Sequence, residues 1–215
     1  MKITQEKLKE IIASHGKWLR CENDGEIADL RNADLCGADL SGASLYGANL
    51  SRADLRNADL YGANLCRADL RNANLDGADL SGASLYGANL CRADLRNADL
   101  YGANLSRADL RNANLDGANL CGADLSGASL DKTYYQIVRV GSRGATTTYC
   151  VEDDKVVCGC WNNYGGGTLE EFRKRVESVY GEEGETPNKK YYTQYMAAIE
   201  FFEKMTKLAK MEEEQ

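Results

Sequence analysis

The sequence predicts a mainly β protein: a solenoid preceded by a helical cap and followed by a small α+β domain. Three observations carry this. From Leu30 to Leu130 every fifth residue is Leu, without a slip. Two positions before each Leu stands an Ala, from Ala28 to Ala128, which makes 21 consecutive units of Ala-(Asp/Asn/Ser)-Leu-x-x. The flanks, residues 1–27 and 131–215, break the period altogether.

A period of five excludes the two regular alternatives. Five residues of α-helix advance about 500°, so successive Leu would wind over every face and leave no apolar stripe. In a flat strand an odd period sends alternate Leu to opposite sides. A chain that turns a corner every five residues places all Leu and Ala inside, because the two lie two apart on a short extended segment. Successive coils then stack at about 4.8 Å, the spacing of neighbouring strands.

On this A(D/N)LxX run, residues 28–130, the chain resembles the pentapeptide-repeat family. The resemblance implies a right-handed quadrilateral β-helix of four units, or 20 residues, per coil. It also implies inward Leu, inward Ala at the preceding corner, three outward side chains per unit, and a bacterial or phage origin. Residues 36–75 and 76–115 are near copies, differing only at Cys36/Asp76, Ser51/Cys91 and Cys66/Ser106. That 40-residue superperiod is two coils of 20 and does not divide by a three-sided coil of 15. Twenty-one units make a rod about 25 Å long.

The composition bounds the function. The formal net charge is -7, from 33 acidic and 26 basic residues, which argues against direct nucleic-acid binding. The N-terminal stretch MKITQEKLKEIIASHGKWLR lacks the apolar core of a signal peptide, and no stretch reaches the length of a membrane span. The expected setting is therefore the cytoplasm, with no membrane contact. An interior of Leu and Ala offers no polar atom, cavity or titratable group, so neither catalytic residue nor cofactor is expected in the rod. The protein is not expected to be an enzyme.

The register assigns the surface. The side built on Leu40, Leu60, Leu80 and Leu100 carries Asp39, Asp59, Asp79 and Asp99 in one ladder, with Tyr61 and Tyr101 interleaved with Ser41 and Ser81. The opposite side carries Arg31, Arg52, Arg71, Arg92 and Arg111, so one side reads as acidic and the other as basic. Two readings of the Asp ladder stand side by side. Asp and Asn suit a corner because their side chains hydrogen-bond local backbone. Stacked carboxylates also mimic a DNA phosphate backbone, which the family resemblance connects to gyrase and topoisomerase IV. Residues 28–130 hold 13 Asp and 9 Arg, a modest excess for a mimic. Tyr46, Tyr61, Tyr86 and Tyr101 fall on two adjacent sides, either covering neighbouring coils or offering contacts.

Cys36, Cys66, Cys91 and Cys121 fall on four different sides, too far apart to pair or to share a metal. All four are expected to face outward. Cys150, Cys158 and Cys160 lack a fourth ligand and C-x₂-C spacing, so strand positions are favoured over a zinc site and no metal is expected. Residues 5–14 read as an amphipathic helix with Thr4 as N-cap, stopped at His15-Gly16, with Trp18 and Leu19 covering the first coil. Beyond residue 130, strands are expected at 134–140, 146–151 and 155–161, with NNYGGG as a loop. A helix opens at the Thr168–Glu171 capping box and runs to about Val179, and a longer one spans about Tyr191–Met211, with Met196, Ile199, Phe202, Met205 and Leu208 near one face.

These readings converge on a non-catalytic scaffold or protein-binding module. The alternative is a DNA-mimic inhibitor or protector of DNA gyrase or topoisomerase IV. Partner choice, including a homodimer, is expected to reside in the C-terminal domain, where Trp161, Tyr164, Phe201 and Phe202 concentrate aromatic area. Phe201 and Phe202 point about 100° apart on a helix, so one is expected to fall outside a narrow core stripe.

Overall fold

The computed structural model describes residues 3–132, 134–140, 145–152, 154–158 and 166–213. Two compact units divide the chain, Met1–Asp131 and Lys132–Gln215.

The first unit opens with helix α1, Gln5–Leu19, whose Thr4 hydroxyl accepts the Lys7 N–H at 3.2 Å. The helix does not stop at His15-Gly16. His15 is buried and its Nδ1 accepts the Ala28 N–H, which holds the chain helical for another turn until Arg20 caps it. Leu8 and His15 are the residues of α1 that are buried, whereas Trp18 remains 39% exposed.

From Asp29 onward the chain coils with a period of 20. Parallel bridges join residues 20 apart from Asp29↔Asn49 to Asp109↔Ser129, one residue per side per coil. Three backbone hydrogen bonds repeat at each step, as in Leu30 N–H to Asn49 O at 2.7 Å, Asn32 N–H to Ser51 O at 3.1 Å and Asn49 N–H to Ala28 O at 3.0 Å. Each corner closes with a bond such as Ala33 N–H to Leu30 O, and its third residue has positive φ, the pattern of a type II turn. Gly and Asn fill most of these corners, but Arg52, Arg67, Arg92 and Arg107 fill four at φ 56 to 60. The four sides are numbered here by their first Leu: Leu30, Leu35, Leu40 and Leu45.

Every Leu from Leu30 to Leu110 is 2% exposed or less. A fully buried Leu contributes about 1.5–3 kcal/mol, so the Leu columns are the main source of cohesion between coils. In the last coil Leu115 and Leu130 are only half-buried, whereas Leu120 and Leu125 stay buried at 4% and 7% exposed.

In the second unit β1 (Tyr134–Val140), β2 (Ala145–Cys150) and β3 (Lys155–Cys158) form an antiparallel sheet in the order β1-β2-β3. The Thr168/Glu171 capping box opens α2, Leu169–Tyr180. Helix α3 spans Lys189–Glu213. Tyr149, Val156, Phe172, Val176, Tyr195, Ile199 and Phe202 build the core, and Arg173 reaches Glu203 at 2.6 Å to tie α2 to α3. On α3 the core stripe is narrower than expected: Leu208 is 42% exposed, outside it.

Candidate functional site

The third side is the part of the rod where acid stands without base: four Asp and neither Arg nor Lys among its repeat residues. Asp39, Asp59, Asp79 and Asp99 bridge one to the next and span three coils, about 14 Å. Each carboxylate does local work: one oxygen accepts the N–H two residues on, from Ser41, Tyr61, Ser81 and Tyr101, at 2.9 to 3.1 Å. The turn-forming reading of this ladder is thus realised in every coil. Asn119 ends the column by donating Nδ2–H to Asp99 at 2.9 Å. Like charges stacked one coil apart repel, and the local charge-assisted hydrogen bonds oppose that repulsion. The Ser41 hydroxyl, then its backbone N–H, and more weakly Lys9 of the cap, hold the Asp39 carboxyl below its ordinary range.

No Arg or Lys stands among the repeat residues of this side, and its corners are all glycine: Gly42, Gly62, Gly82, Gly102 and Gly122. Tyr61 and Tyr101 rise beside that glycine column, 61% and 51% exposed. Tyr46 and Tyr86 on the fourth side behave differently. Arg67 and Arg107, one coil further on, lie over their rings at 5.9 and 5.7 Å and cover them. The four tyrosines therefore split into two covered and two presented.

The first side is not the basic surface that its arginine row suggests. Arg31, Arg71 and Arg111 each fold back on the Asp two residues earlier, Asp29, Asp69 and Asp109, with two hydrogen bonds of 2.6 to 2.9 Å. Arg56 and Arg96 do the same to Asp54 and Asp94 on the second side. These guanidinium contacts hold all five carboxyls below their ordinary range. Arg52 and Arg92 have no ion-pair partner among the described residues. The contrast between sides is thus an acidic column with no base of its own against sides where Asp and Arg are mixed, the second side with three further Asp beyond its two Arg-paired ones.

The four solenoid cysteines do lie on four sides, but they are not equally accessible. Cys36 is exposed, Cys66 and Cys91 are half-buried, and Cys121 is fully buried. Gly102 N–H donates to the Cys121 carbonyl at 2.9 Å, which places Cys121 in the last coil of the third side. Among the described residues no group of three or more His, Cys, Asp and Glu side chains is placed to hold a metal ion. No described helix is long and apolar enough to cross a membrane. An open cleft of about 410 Å³ lies by the cap, lined by Trp18, Leu19, Cys21, Glu22 and Tyr46, but its one carboxylate is engaged by Arg20 at 2.6 Å.

In the second unit Phe202 is fully buried with its ring tilted against Tyr149, centroids 5.2 Å apart, while Phe201 is 40% exposed. Leu208 and Met211 are also exposed on the same helix, at 42% and 59%. Trp161, Tyr164 and Cys160 lie outside the described residues, as does most of NNYGGG.

Solved structures similar to the chain are pentapeptide repeat proteins. One from the Arabidopsis thaliana thylakoid lumen is 38% identical, with 47% of this chain and 70% of that one covered and a TM-score of 0.46. HetL of Nostoc sp. strain PCC 7120, involved in heterocyst differentiation regulation, is 46% identical over 48% of this chain, with a TM-score of 0.35. The match spans 52% of HetL's own length. QnrB1, a plasmid-mediated fluoroquinolone resistance protein, is 24% identical over 49% of this chain and 66% of its own, with a TM-score of 0.19. No curated protein matches the sequence. The family model described as Pentapeptide repeats matches in eight copies, over residues 28–60, 48–85, 58–97, 73–112 and 103–134. Through its repeat region this chain belongs to the pentapeptide-repeat family.

Proposed function

We propose that this protein is a non-catalytic, protein-binding scaffold that works in the cytoplasm and presents the third side of its rod to a partner. One observation carries the reading: Asp39, Asp59, Asp79 and Asp99 stand on a side with no cation of its own, beside the exposed rings of Tyr61 and Tyr101. Tyrosine supplies large contact area with few rotatable bonds, and an unneutralised column sets orientation and on-rate. The alternative, mimicry of DNA toward gyrase or topoisomerase IV, draws on the same column. It is weakened by its shortness, four carboxylates, because five of the other Asp side chains are already tied to Arg. Self-association of the second unit through Phe201, Leu208 and Met211 completes the proposal, since these apolar groups share one helix and remain exposed.

The test compares the full chain with two variants, Tyr61→Ala/Tyr101→Ala and Asp39→Asn/Asp59→Asn/Asp79→Asn/Asp99→Asn. Capture of a specific host protein that falls at least tenfold in both, at unchanged melting temperature, supports the reading. Equal capture by all three proteins refutes it. Gyrase supercoiling in the same series decides the alternative: stoichiometric inhibition that is lost in the Asn variant would put mimicry first.

A further inference from the structure

His15 is the one histidine of the chain, and it is 0% exposed. Its Nδ1 accepts the Ala28 N–H at 3.1 Å, so the neutral ring carries its proton on Nε2. Nε2 is buried with no hydrogen-bond partner of good geometry among the described residues, and the Tyr46 carbonyl of the first coil is the acceptor that acts on the ring. Trp18 lies flat against the imidazole, with centroids 5.4 Å apart and an interplanar angle of 13°. Ala28 is also the first inward Ala of the rod, and its carbonyl accepts the Asn49 N–H at 3.0 Å. One neutral imidazole thus joins α1 to the residue that opens the first coil.

Among the described residues few other hydrogen bonds hold the cap. Ser14 Oγ accepts the Glu26 N–H at 3.1 Å, Leu8 is buried, Gln5 Nε2 donates to Asp39 O at 3.2 Å and Ile3 N–H donates to Asp34 O at 3.4 Å. The last two acceptors belong to the free edge of the solenoid. In every later coil the equivalent carbonyl is occupied by the coil before it, as Asp54 O is by Leu35 N–H.

We propose that His15 is a pH-sensitive latch: protonation of its Nδ1 ejects the Ala28 N–H, releases α1 from the first coil and uncovers the edge of the rod. A protonated Nδ1 would set N–H against N–H in a site that burial has stripped of water, leaving a charge and a backbone donor both unsatisfied. The ionisable groups on the segments packed there are Lys17 on α1, the Arg20–Glu22 pair, Cys21, Asp24 and Glu26 in the connection, and Tyr46 with Arg67 over it. None of them supplies the shift. Burial pushes the His15 pKa down, and the Tyr46 carbonyl opposes it more weakly. The sign follows. A histidine whose docked pKa lies below its ordinary value of about 6.5 stabilises the docked cap fully above 6.5, and loses that contribution as pH falls toward the docked value. One proton is taken up on opening, so within that window opening rises up to about tenfold per pH unit.

Two measurements on the full chain test this. The His15 ring resonance, unique in the protein, is titrated by NMR. A docked pKa below 6.5 is expected, and a value at or above 6.5 overturns the latch. Hydrogen-exchange protection factors for residues 5–30 are then compared between pH 7.5 and 5 in the wild type and in His15→Gln, whose side-chain oxygen accepts the Ala28 N–H at any pH. Protection in the wild type should fall by up to tenfold per pH unit below 6.5, against a flat profile in the variant. A flat wild-type profile, or equal slopes in both proteins, overturns it. Should His15→Gln fail to fold, the titration and the wild-type slope alone still decide.

Discussion

Leu70→Ala is the most direct probe of how the rod holds together. Leu70 is 0% exposed, in the first side's column between Leu50 and Leu90. Cutting it to Ala removes three carbons, worth about 0.8 kcal/mol each, or about 2.4 kcal/mol in transfer alone. A cavity term adds to this where neighbours cannot close in, and Leu-to-Ala changes in tight cores reach about 3–5 kcal/mol in total. Collapse is hard here, because bridges on both sides fix the coil spacing: Leu50 N–H to Asp69 O and Leu70 N–H to Asn89 O, both 2.8 Å. About 4 kcal/mol is therefore expected. Leu130→Ala, at a half-buried end position, should cost less than about 1.5 kcal/mol. The assay is hydrogen exchange on the full chain, reading amides in residues 50–90. At about 1.4 kcal/mol per decade, Leu70→Ala should lower their protection by about three decades. A loss of less than tenfold, or an equal loss in Leu130→Ala, would refute the stacked-column account.

Two further outcomes follow from the surface. The Arg-paired carboxyls Asp29, Asp54, Asp69, Asp94 and Asp109 sit below their ordinary range, so they stabilise the rod above about pH 3.9 and lose that contribution as pH falls through their lowered values. Replacing Arg56, Arg71 and Arg96 together by Gln should move the acid-unfolding midpoint by circular dichroism to higher pH; an unchanged or lower midpoint contradicts the pairing. Maleimide labelling followed by peptide mapping should modify Cys36 first, Cys66 and Cys91 more slowly, and Cys121 last. Equal rates at Cys36 and Cys121 would mean that the end of the third side is open.

The repeat was legible because one spacing rule admits few backbones. Leu at every fifth position excludes helix and flat strand, and the 40-residue copy agrees with the 20-residue coil that the bridges define. What spacing alone misses is the contact between positions that are not in the same column. Tyr46 and Tyr61 look alike in the sequence, yet position 67 is Arg and position 82 is Gly, each 21 residues further on. That offset decides which ring is covered. Likewise an arginine row reads as basic until Asp29 and Arg31 are seen two residues apart on one turn, close enough to cancel. His15 was missed for another reason. Histidine followed by glycine is a fair helix stop on local propensity, and the tertiary bond from Ala28 that overrides it has no local sign.

The coil of 20 gives this molecule a second kind of reading frame. Loss or gain of the 40-residue block 76–115 removes or adds two whole turns, and every side continues unbroken across the junction. Loss of a single unit of five preserves the Leu and Ala interior but rotates everything downstream by one quarter turn. The upper carboxylates of the third side would then sit above the Asp/Asn column of the second. Folding is thus indifferent to indels in multiples of five, whereas the surface tolerates only multiples of twenty. Selection on a binding face therefore leaves its trace in indel lengths, and the 40-residue duplication written into residues 36–115 is of the kind that lengthens such a face without scrambling it.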